Sequence, residues 1–450
     1  MSKKSTTPCI PSKLYSLLRS PIQKVFLSLH RKLAMPLKSL GTNDPEASTS
    51  LSKVTWISLK RRRKIQLGVC LVQSNSYASR QQGADIAAGV FYVPRNGTYV
   101  FYVNILSEYN NMIETQLVVN GQSLALMYSG AGHFHGAGSN MAIAHLTAGD
   151  NVWVRLHGHW SSDRSVHCCW STFSGFHLSD DEIAFSGSLS QHQRNLSAHQ
   201  RLVFDNVLVN TKSSYNRNSG VFFVPESGLY LLHSNILSEH HNYVETEIVS
   251  NGQPLAEIFS GSASFGSGGN LVIAELAAGD NVWVKVNADH SSDMAIHASW
   301  STFSGFRLSN AEIAFSAKLT VVTNFGSGYD PSTGHFRAAA TGVYLLYTNI
   351  LSEADNFIET ELLVDGQALL EVYSGAVRKS GGVRIRPFTD AEGTETKIRK
   401  RGISIHTLNE GQDVWMHVHG HWSSDMTVHC CWSTFSGYLL FDAPQSAIVG

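Results

Sequence analysis

The motif WSTFSGF stands at residues 170–176 and again at 300–306, and the variant WSTFSGY stands at 432–438. Shorter blocks recur with it in a constant order. They are NILSE from Asn104, Asn235 and Asn349, GDNVWV from Gly149 and Gly279 with GQDVWM from Gly411, and IAFS from Ile183 and Ile313. A period of about 130 residues exceeds the ~20–50 residues of a solenoid repeat. The repeat therefore predicts three whole domains in tandem.

Each unit has the sequence pattern of short β-strands. Val282, Val284 and Val286 alternate with polar or aromatic residues, which is the period-2 pattern of a strand buried on one face. Asn251-Gly252 is a strong hairpin signal. Many short strands with frequent turns are typical of sandwiches and jelly rolls. We therefore predict an all-β fold of three tandem jelly-roll β-sandwich domains.

The borders of the repeat define the domains. Residues 1–64 are predicted to form a disordered basic arm, because lysine and arginine crowd this segment and Asp44 and Glu46 are its only acidic residues. The three domains are predicted at residues 65–179, 182–309 and 312–442, and a tail at 443–450. Linkers of about four residues keep successive domains close together.

Composition and motifs argue against several functional classes. The net charge of −1 gives no basic footprint for nucleic acid. No apolar run is long enough to span a bilayer, and no secretory signal is visible near the N-terminus. The sequence contains no nucleophile elbow, P-loop or HExxH motif, so no enzymatic activity is expected.

The chain resembles the globular head of complement C1q, in the C1q/TNF superfamily. The second unit carries the family's fingerprint of spaced aromatic, amide and glycine residues and closes with the final-strand motif STFSGF. The matching positions are Phe204, Asn210, Tyr215, Phe222, Gly228, Tyr230 and Leu232. The resemblance extends from about Ile65 to Asp442 and implies the C1q-like jelly roll for all three units.

The first and third units depart from this pattern. LKRRRKIQLGVC, at residues 59–70, stands in the first unit where the opening strand is expected. The third unit is truncated near its start, and we expect it to lose about a strand and a half after Leu319. It also carries a polar insert at 383–401, which is predicted to be a loop.

Histidines on one strand face are the candidate metal ligands. The strand after GDNVWV presents His157 and His159, and its counterpart in the third unit presents His417, His419 and His421. Alternate residues of a strand lie ~7 Å apart, which is wide for one zinc ion unless a neighbouring strand adds a ligand. Calcium or zinc binding, a pH-responsive surface and an ordinary solvated face all remain open. The second unit has no histidines on this strand face.

Cysteines and glycosylation sequons are the remaining chemical features. Cys168-Cys169 and Cys430-Cys431 are adjacent pairs, in which one cysteine is predicted to be buried and the other to be a free or intermolecular thiol. A vicinal disulfide is the alternative. Sequons at Asn195 and Asn96 are candidate glycosylation sites.

The resemblance implies an extracellular recognition protein that binds glycans or microbial surfaces multivalently. It also implies association in threes, either as a pseudo-trimer within one chain or as a homotrimer. The rival interpretation is a structural or body-fluid protein that binds calcium or heavier divalent metals through the His-rich strands.

Overall fold

The computed structural model describes residues 89–442 with interruptions, together with the short segments 55–59, 66–70 and 84–85. The interruptions are 109–110, 131–135, 159–165, 167–170, 179–181, 240–241, 262–265, 288–293, 309–312, 319–320, 352–356, 379–394, 419–427 and 429–431. The described residues form β-strands and one short 3₁₀ turn, as the all-β prediction requires. None of their helical segments is long and apolar enough to cross a membrane.

The second domain is a sandwich of two five-stranded antiparallel sheets. Its strands are β11 (Ala184–Ser188), β12 (Asn206–Asn210), β13 (Tyr215–Asn216), β14 (Val221–Phe223), β15 (Gly228–Ser238), β16 (Tyr243–Ser250), β17 (Gln253–Gly261), β18 (Gly266–Leu276), β19 (Asn281–Val286) and β20 (Thr302–Arg307), and the 3₁₀ turn is Thr211–Ser213. The sheet orders are β12-β11-β20-β15-β18 and β13-β14-β19-β16-β17. Strand β19 buries Val282, Val284 and Val286, as its period-2 pattern predicts.

Stacked aromatic rings fill the core of this sandwich. Phe185 is fully buried, with ring centroids 4.5 Å from Phe222, 4.8 Å from Phe303 and 5.2 Å from Tyr215. Such offset and edge-to-face pairs add to the stabilisation that comes from burial alone. The aromatic fingerprint residues Phe204, Tyr215, Phe222 and Tyr230 are therefore core residues, which explains their spacing.

The third domain repeats the strand order, but its two sheets are continuous. Its strands are β21 (Ala314–Ala317), β22 (Val321–Phe325), β23 (Tyr329–Asp330), β24 (His335–Arg337), β25 (Gly342–Leu351), β26 (Phe357–Val364), β27 (Gln367–Arg378), β28 (Glu395–Leu408), β29 (Asp413–Val418) and β30 (Thr434–Asp442). They form one ten-stranded sheet, because the ends of β27 and β28 pair with each other.

Two predictions for the third domain need correction. The truncation near its start removes no named strand: β21 and β22 pair as β11 and β12 do, and what is shortened is the connection, which in the second domain forms β-bridges through Gln193 and Arg201. The insert at 383–401 is only partly a loop, since Glu395–Arg401 belongs to β28 and continues the β27–β28 hairpin. Residues 383–394 lie outside the described part of the chain.

The first domain has a narrower sheet. Its strands are β3 (Ala84–Asp85), β4 (Val90–Tyr92), β5 (Gly97–Leu106), β6 (Ile113–Val119), β7 (Gln122–Ser129), β8 (Ala137–Leu146), β9 (Asn151–Leu156) and β10 (Thr172–Leu178), and β1 (Thr55–Leu59) and β2 (Gln66–Cys70) precede them. Within the described residues, one of its sheets holds only β10-β5-β8, and the other is β3-β4-β9-β6-β7.

The predicted disorder of residues 1–64 is wrong for Thr55–Leu59. This segment is β1, and it pairs antiparallel with β2. Both segments are rich in β-branched and aliphatic residues, which favour strands despite the basic residues between them. Residues 1–54 lie outside the described part of the chain.

The three domains pack around one shared apolar cluster. Every domain contributes three strands to it: the strand that runs into the NILSE block, the strand of the C-terminal motif, and β8, β18 or β28. Buried members of the cluster include Val100, Tyr102 and Ile143 of the first domain, Leu231, Leu271 and Ile273 of the second, and Leu345, Tyr347 and Ile405 of the third. In this arrangement the three domains of one chain pack together through equivalent strands.

Candidate functional site

Aromatic residues at equivalent positions meet where the three domains converge. Tyr102, His233 and Tyr347 each stand two residues before the asparagine of NILSE. The ring of Tyr102 lies 5.7 Å from that of His233 and 6.4 Å from that of Tyr347, both edge-on. All three side chains are buried. The convergence point is therefore a packed core, and ligands must be sought on the outer faces and loops.

The tryptophan of the repeated motif packs into the preceding domain. Trp300 lies edge-on to Tyr128 of the first domain, with ring centroids 6.4 Å apart. Trp432 lies 5.7 Å from Phe259 of the second domain. Trp170, the copy in the first unit, falls outside the described residues. The motif that marks the repeat thus also joins neighbouring domains.

The structure describes two of the five histidines predicted as metal ligands. His157 is partly buried against Trp300 of the second domain, at 5.6 Å between ring centroids. His417 is exposed, and its Nδ1 lies 3.1 Å from Glu361 Oε1 on the neighbouring strand. Neither joins a group of three potential ligands among the described residues. His159, His419 and His421 lie outside those residues, as do both cysteine pairs.

The two sequons occupy different surroundings. Asn195 is exposed in the long β11–β12 connection, with a left-handed backbone φ of 53° that asparagine tolerates. Asn96 is also exposed, but its Oδ1 accepts a hydrogen bond from the Ala148 amide at 2.9 Å. The Asn96 side chain therefore helps to hold a turn, whereas Asn195 is exposed in a loop.

A compact group of two histidines and one glutamate lies in the second domain. His192 belongs to the β11–β12 connection, Glu239 follows β15, and His297 precedes β20. One potential ligand atom from each residue lies within 4.8 Å of the other two. His192 Nδ1 is 2.6 Å from Glu239 Oε1, and the two imidazole centroids are 4.1 Å apart.

Backbone hydrogen bonds hold the three segments together. The amides of Gln193 and Ile296 each donate to the other's carbonyl, at 2.9 and 2.8 Å. The Glu239 amide donates to the Ala295 carbonyl at 3.0 Å. Each bond joins residues adjacent or close to the three side chains. The cluster is consequently fixed by the main chain rather than by chance contacts of surface side chains.

Burial and one cation shape the electrostatics of this cluster. Burial is the main cause that lowers the pKa of His297, and His192 and Arg194 lower it further, against the opposing effects of the Ala298 carbonyl and Glu239. His297 Nδ1 lies 2.9 Å from the Ala298 carbonyl oxygen. Because a carbonyl only accepts, the proton is on Nδ1 and Nε2 carries the lone pair. Arg194 approaches Glu239 Oε1 to 3.6 Å from the solvent side.

Sequence reasoning missed this cluster, although part of its signal repeats. Glu239 closes the NILSE block, and a histidine stands three residues before the motif tryptophan in every unit. The equivalents are Glu108 and Glu353, and His167 and His429. His192 has no equivalent in the third domain, because that domain shortens the connection that carries it. Only the folded chain brings these three distant segments together.

The family of the chain follows from its match to known domains. The C1q domain model matches residues 63–178, 184–308 and 307–440. The chain therefore belongs to the C1q domain family, with three C1q domains in one polypeptide. Among its relatives is the heavy metal-binding protein HIP of Mytilus edulis, 32% identical over 129 residues, which are 28% of this chain and 60% of that protein.

Vertebrate proteins match over a similar length. The complement C1q tumor necrosis factor-related protein 3 of Homo sapiens is 29% identical over 133 residues, which cover 28% of this chain and 51% of the relative. The chain thus spans between half and two thirds of the curated relatives it matches. The globular domain of the zebrafish complement 1qA protein matches 28% of this chain and 97% of its own, at 20% identity and a TM-score of 0.24.

Proposed function

We propose that this protein is a non-enzymatic, multivalent recognition molecule that binds glycans or microbial surfaces outside the cell. The observation that carries the proposal is the apolar cluster shared by three C1q domains of a single chain. It makes one polypeptide a preassembled three-lobed head whose lobes differ in sequence. Membership of the C1q domain family supports a role in recognition or assembly.

A preassembled head has a functional advantage in weak binding. Three linked lobes convert the second and third contacts into intramolecular events, which raises avidity by about 10²–10⁴ if the lobes engage together. Lobes with different loops can also contact different groups of one surface. Self-association of further chains is not needed to reach three lobes.

The test combines the mass of the chain with its binding to glycans. We expect light scattering to give the mass of one chain. On a glycan array, probed with and without chelator, we expect signals that weaken steeply on sparsely coated spots. A mass three times that of the chain would contradict the single-chain head. Signals that do not depend on coating density, or no signal on any glycan, would contradict multivalent recognition.

Divalent metal binding is the second candidate function. It is favoured by the similarity to the heavy metal-binding protein HIP of Mytilus edulis and by the abundance of histidine, with 21 residues in this chain. We propose that calcium or a heavier divalent ion binds this chain, with the strand histidines His157, His159, His417, His419 and His421 as one candidate ligand set. Calorimetry with zinc and calcium tests it: alanine variants of these histidines would lose heat if they are the ligands.

A further inference from the structure

The geometry of the second domain points to a different metal site from the strand histidines. We propose that His192, Glu239 and His297 bind one divalent transition-metal ion of the zinc class. This inference rests on metal binding, the second candidate function, and places the ion in the middle lobe.

The spacing of the three residues suits a single ion. Zinc binds histidine nitrogen and carboxylate oxygen at about 2.0–2.2 Å, so ligand atoms around it lie a little over 3 Å apart. The candidate ligand atoms already lie within 4.8 Å of one another. The ion would take the place of the proton between His192 and Glu239, and small side-chain rotations would complete the contacts.

The ligand types select the class of metal. Two imidazoles and one carboxylate suit zinc, copper or nickel, whereas calcium takes six to eight oxygen ligands. His297 Nδ1 is held by the Ala298 carbonyl, and this outer contact is the usual means of orienting a histidine that binds a metal through Nε2. His192 is 43% exposed at its side chain, so the fourth position opens to solvent.

The third lobe lacks one of these ligands for a structural reason. The glutamate and the histidine before the motif tryptophan recur in all three units, but the third ligand comes from the long β11–β12 connection. In the third domain, β21 and β22 are joined by residues 318–320 only. The third lobe therefore offers at most two of the three ligands from these positions.

One feature of the site opposes cation binding. The Arg194 guanidinium lies 3.6 Å from Glu239 Oε1, and its side chain is 67% exposed. Because exposed ion pairs are weak, the guanidinium can move into solvent when a metal ion occupies the carboxylate. Removal of Arg194 is thus not required for the site to fill.

The experiment uses the full chain without an affinity tag. Binding of zinc is followed by calorimetry in competition with a weak chelator, and binding of cobalt by its visible absorption. The variants are His192→Ala and His297→Ala. The matched control is His199→Asn, an exposed histidine of the same loop whose φ of 61° asparagine also adopts.

We expect the wild type and the control each to bind one equivalent of zinc or cobalt at this site. Both alanine variants should lose this equivalent or bind it more than about tenfold more weakly. Retained binding in both variants would overturn this site while leaving metal binding by the chain intact. No zinc or cobalt binding in the wild type would overturn both this site and the binding of heavier divalent ions by the chain. Circular dichroism of each variant verifies that it is folded.

Discussion

The contact between the second and third domains and the contact between the third and first domains are built differently. In the former, β18 lies against β21 and β22, and Thr434 Oγ1 donates to Asn270 Oδ1 at 2.8 Å. In the latter, β28 lies against β10, and Gly402 stands where Asn270 would be. Thr172, the counterpart of Thr434, has a buried hydroxyl without a partner among the described residues.

The contact between the first and second domains resembles the better-bonded case. Thr302 Oγ1 donates to Asn140 Oδ1 at 2.6 Å, and β8 lies against β11 and β12. An equivalent buried threonine–asparagine hydrogen bond is thus present in two of the three contacts, and the third lacks it. Three identical chains could not do this, since one substitution would change all three contacts. A single chain can weaken one contact and keep the others.

Truncation of a buried isoleucine should have the largest effect. Ile273 and Ile405 pair with Leu231 and Leu345 at equivalent positions, but Ile273 is fully buried and Ile405 is 8% exposed. Large-to-small changes of this kind cost about 2–5 kcal/mol. We expect the loss in the free energy of unfolding to lie near the upper end of this range for Ile273→Ala and near the lower end for Ile405→Ala. Urea denaturation measures both losses. Equal losses would mean that the two contacts are packed equally well.

Removal of the threonine hydroxyls should have a smaller effect that separates the contacts. We expect Thr302→Val and Thr434→Val each to lower the free energy of unfolding by about 1 kcal/mol. The cost stays small because each asparagine oxygen also accepts from the next residue's amide. Thr172→Val should be neutral or stabilising, since it removes a buried hydroxyl without a described partner. A similar loss for all three would show that Thr172 is bonded.

The smallest effect concerns pH in the third domain. His406 pairs with Tyr344 where the sister domains have Ala144 and Ala274 opposite their tyrosines, and burial lowers its pKa. The unfolded chain therefore binds this proton more readily, so the contribution to stability is present above pH ~6.5 and is lost as pH falls through the lower folded pKa. His406→Ala should lose less stability than the wild type on acidification, as followed by thermal denaturation. An unchanged difference between the two proteins across this pH range would contradict the prediction.

Departures from the repeat were harder to predict than the repeat itself. The shortened start of the third unit predicted a missing strand, yet β21 still pairs with β22. Strand pairing satisfies backbone hydrogen bonds, whereas the length of the connection can vary without breaking them. The polar insert was predicted to be a loop, yet its last residues belong to β28 and pair with the end of β27. In both cases the pairing with a neighbouring strand, rather than the composition of the segment itself, decided the outcome.

The candidate metal ligands show the same limit. A strand pattern finds histidines that share a face, and it selected His157 and His417. It cannot find His192, Glu239 and His297, because these residues come from three segments separated by tens of residues. Two of them carry a repeating signal, but a repeat alone does not tell which loops end at the same edge of a sandwich.

By itself the sequence determined the all-β class, the three repeats, the aromatic core positions and membership of the C1q-like fold. These properties depend on local alternation, turn residues and spacing, which are written into consecutive residues. Only the tertiary structure decided which domain contacts carry the threonine–asparagine bond and where histidine and glutamate side chains meet. Those features depend on distances between residues that are tens to more than a hundred positions apart, and such distances exist only after the chain has folded.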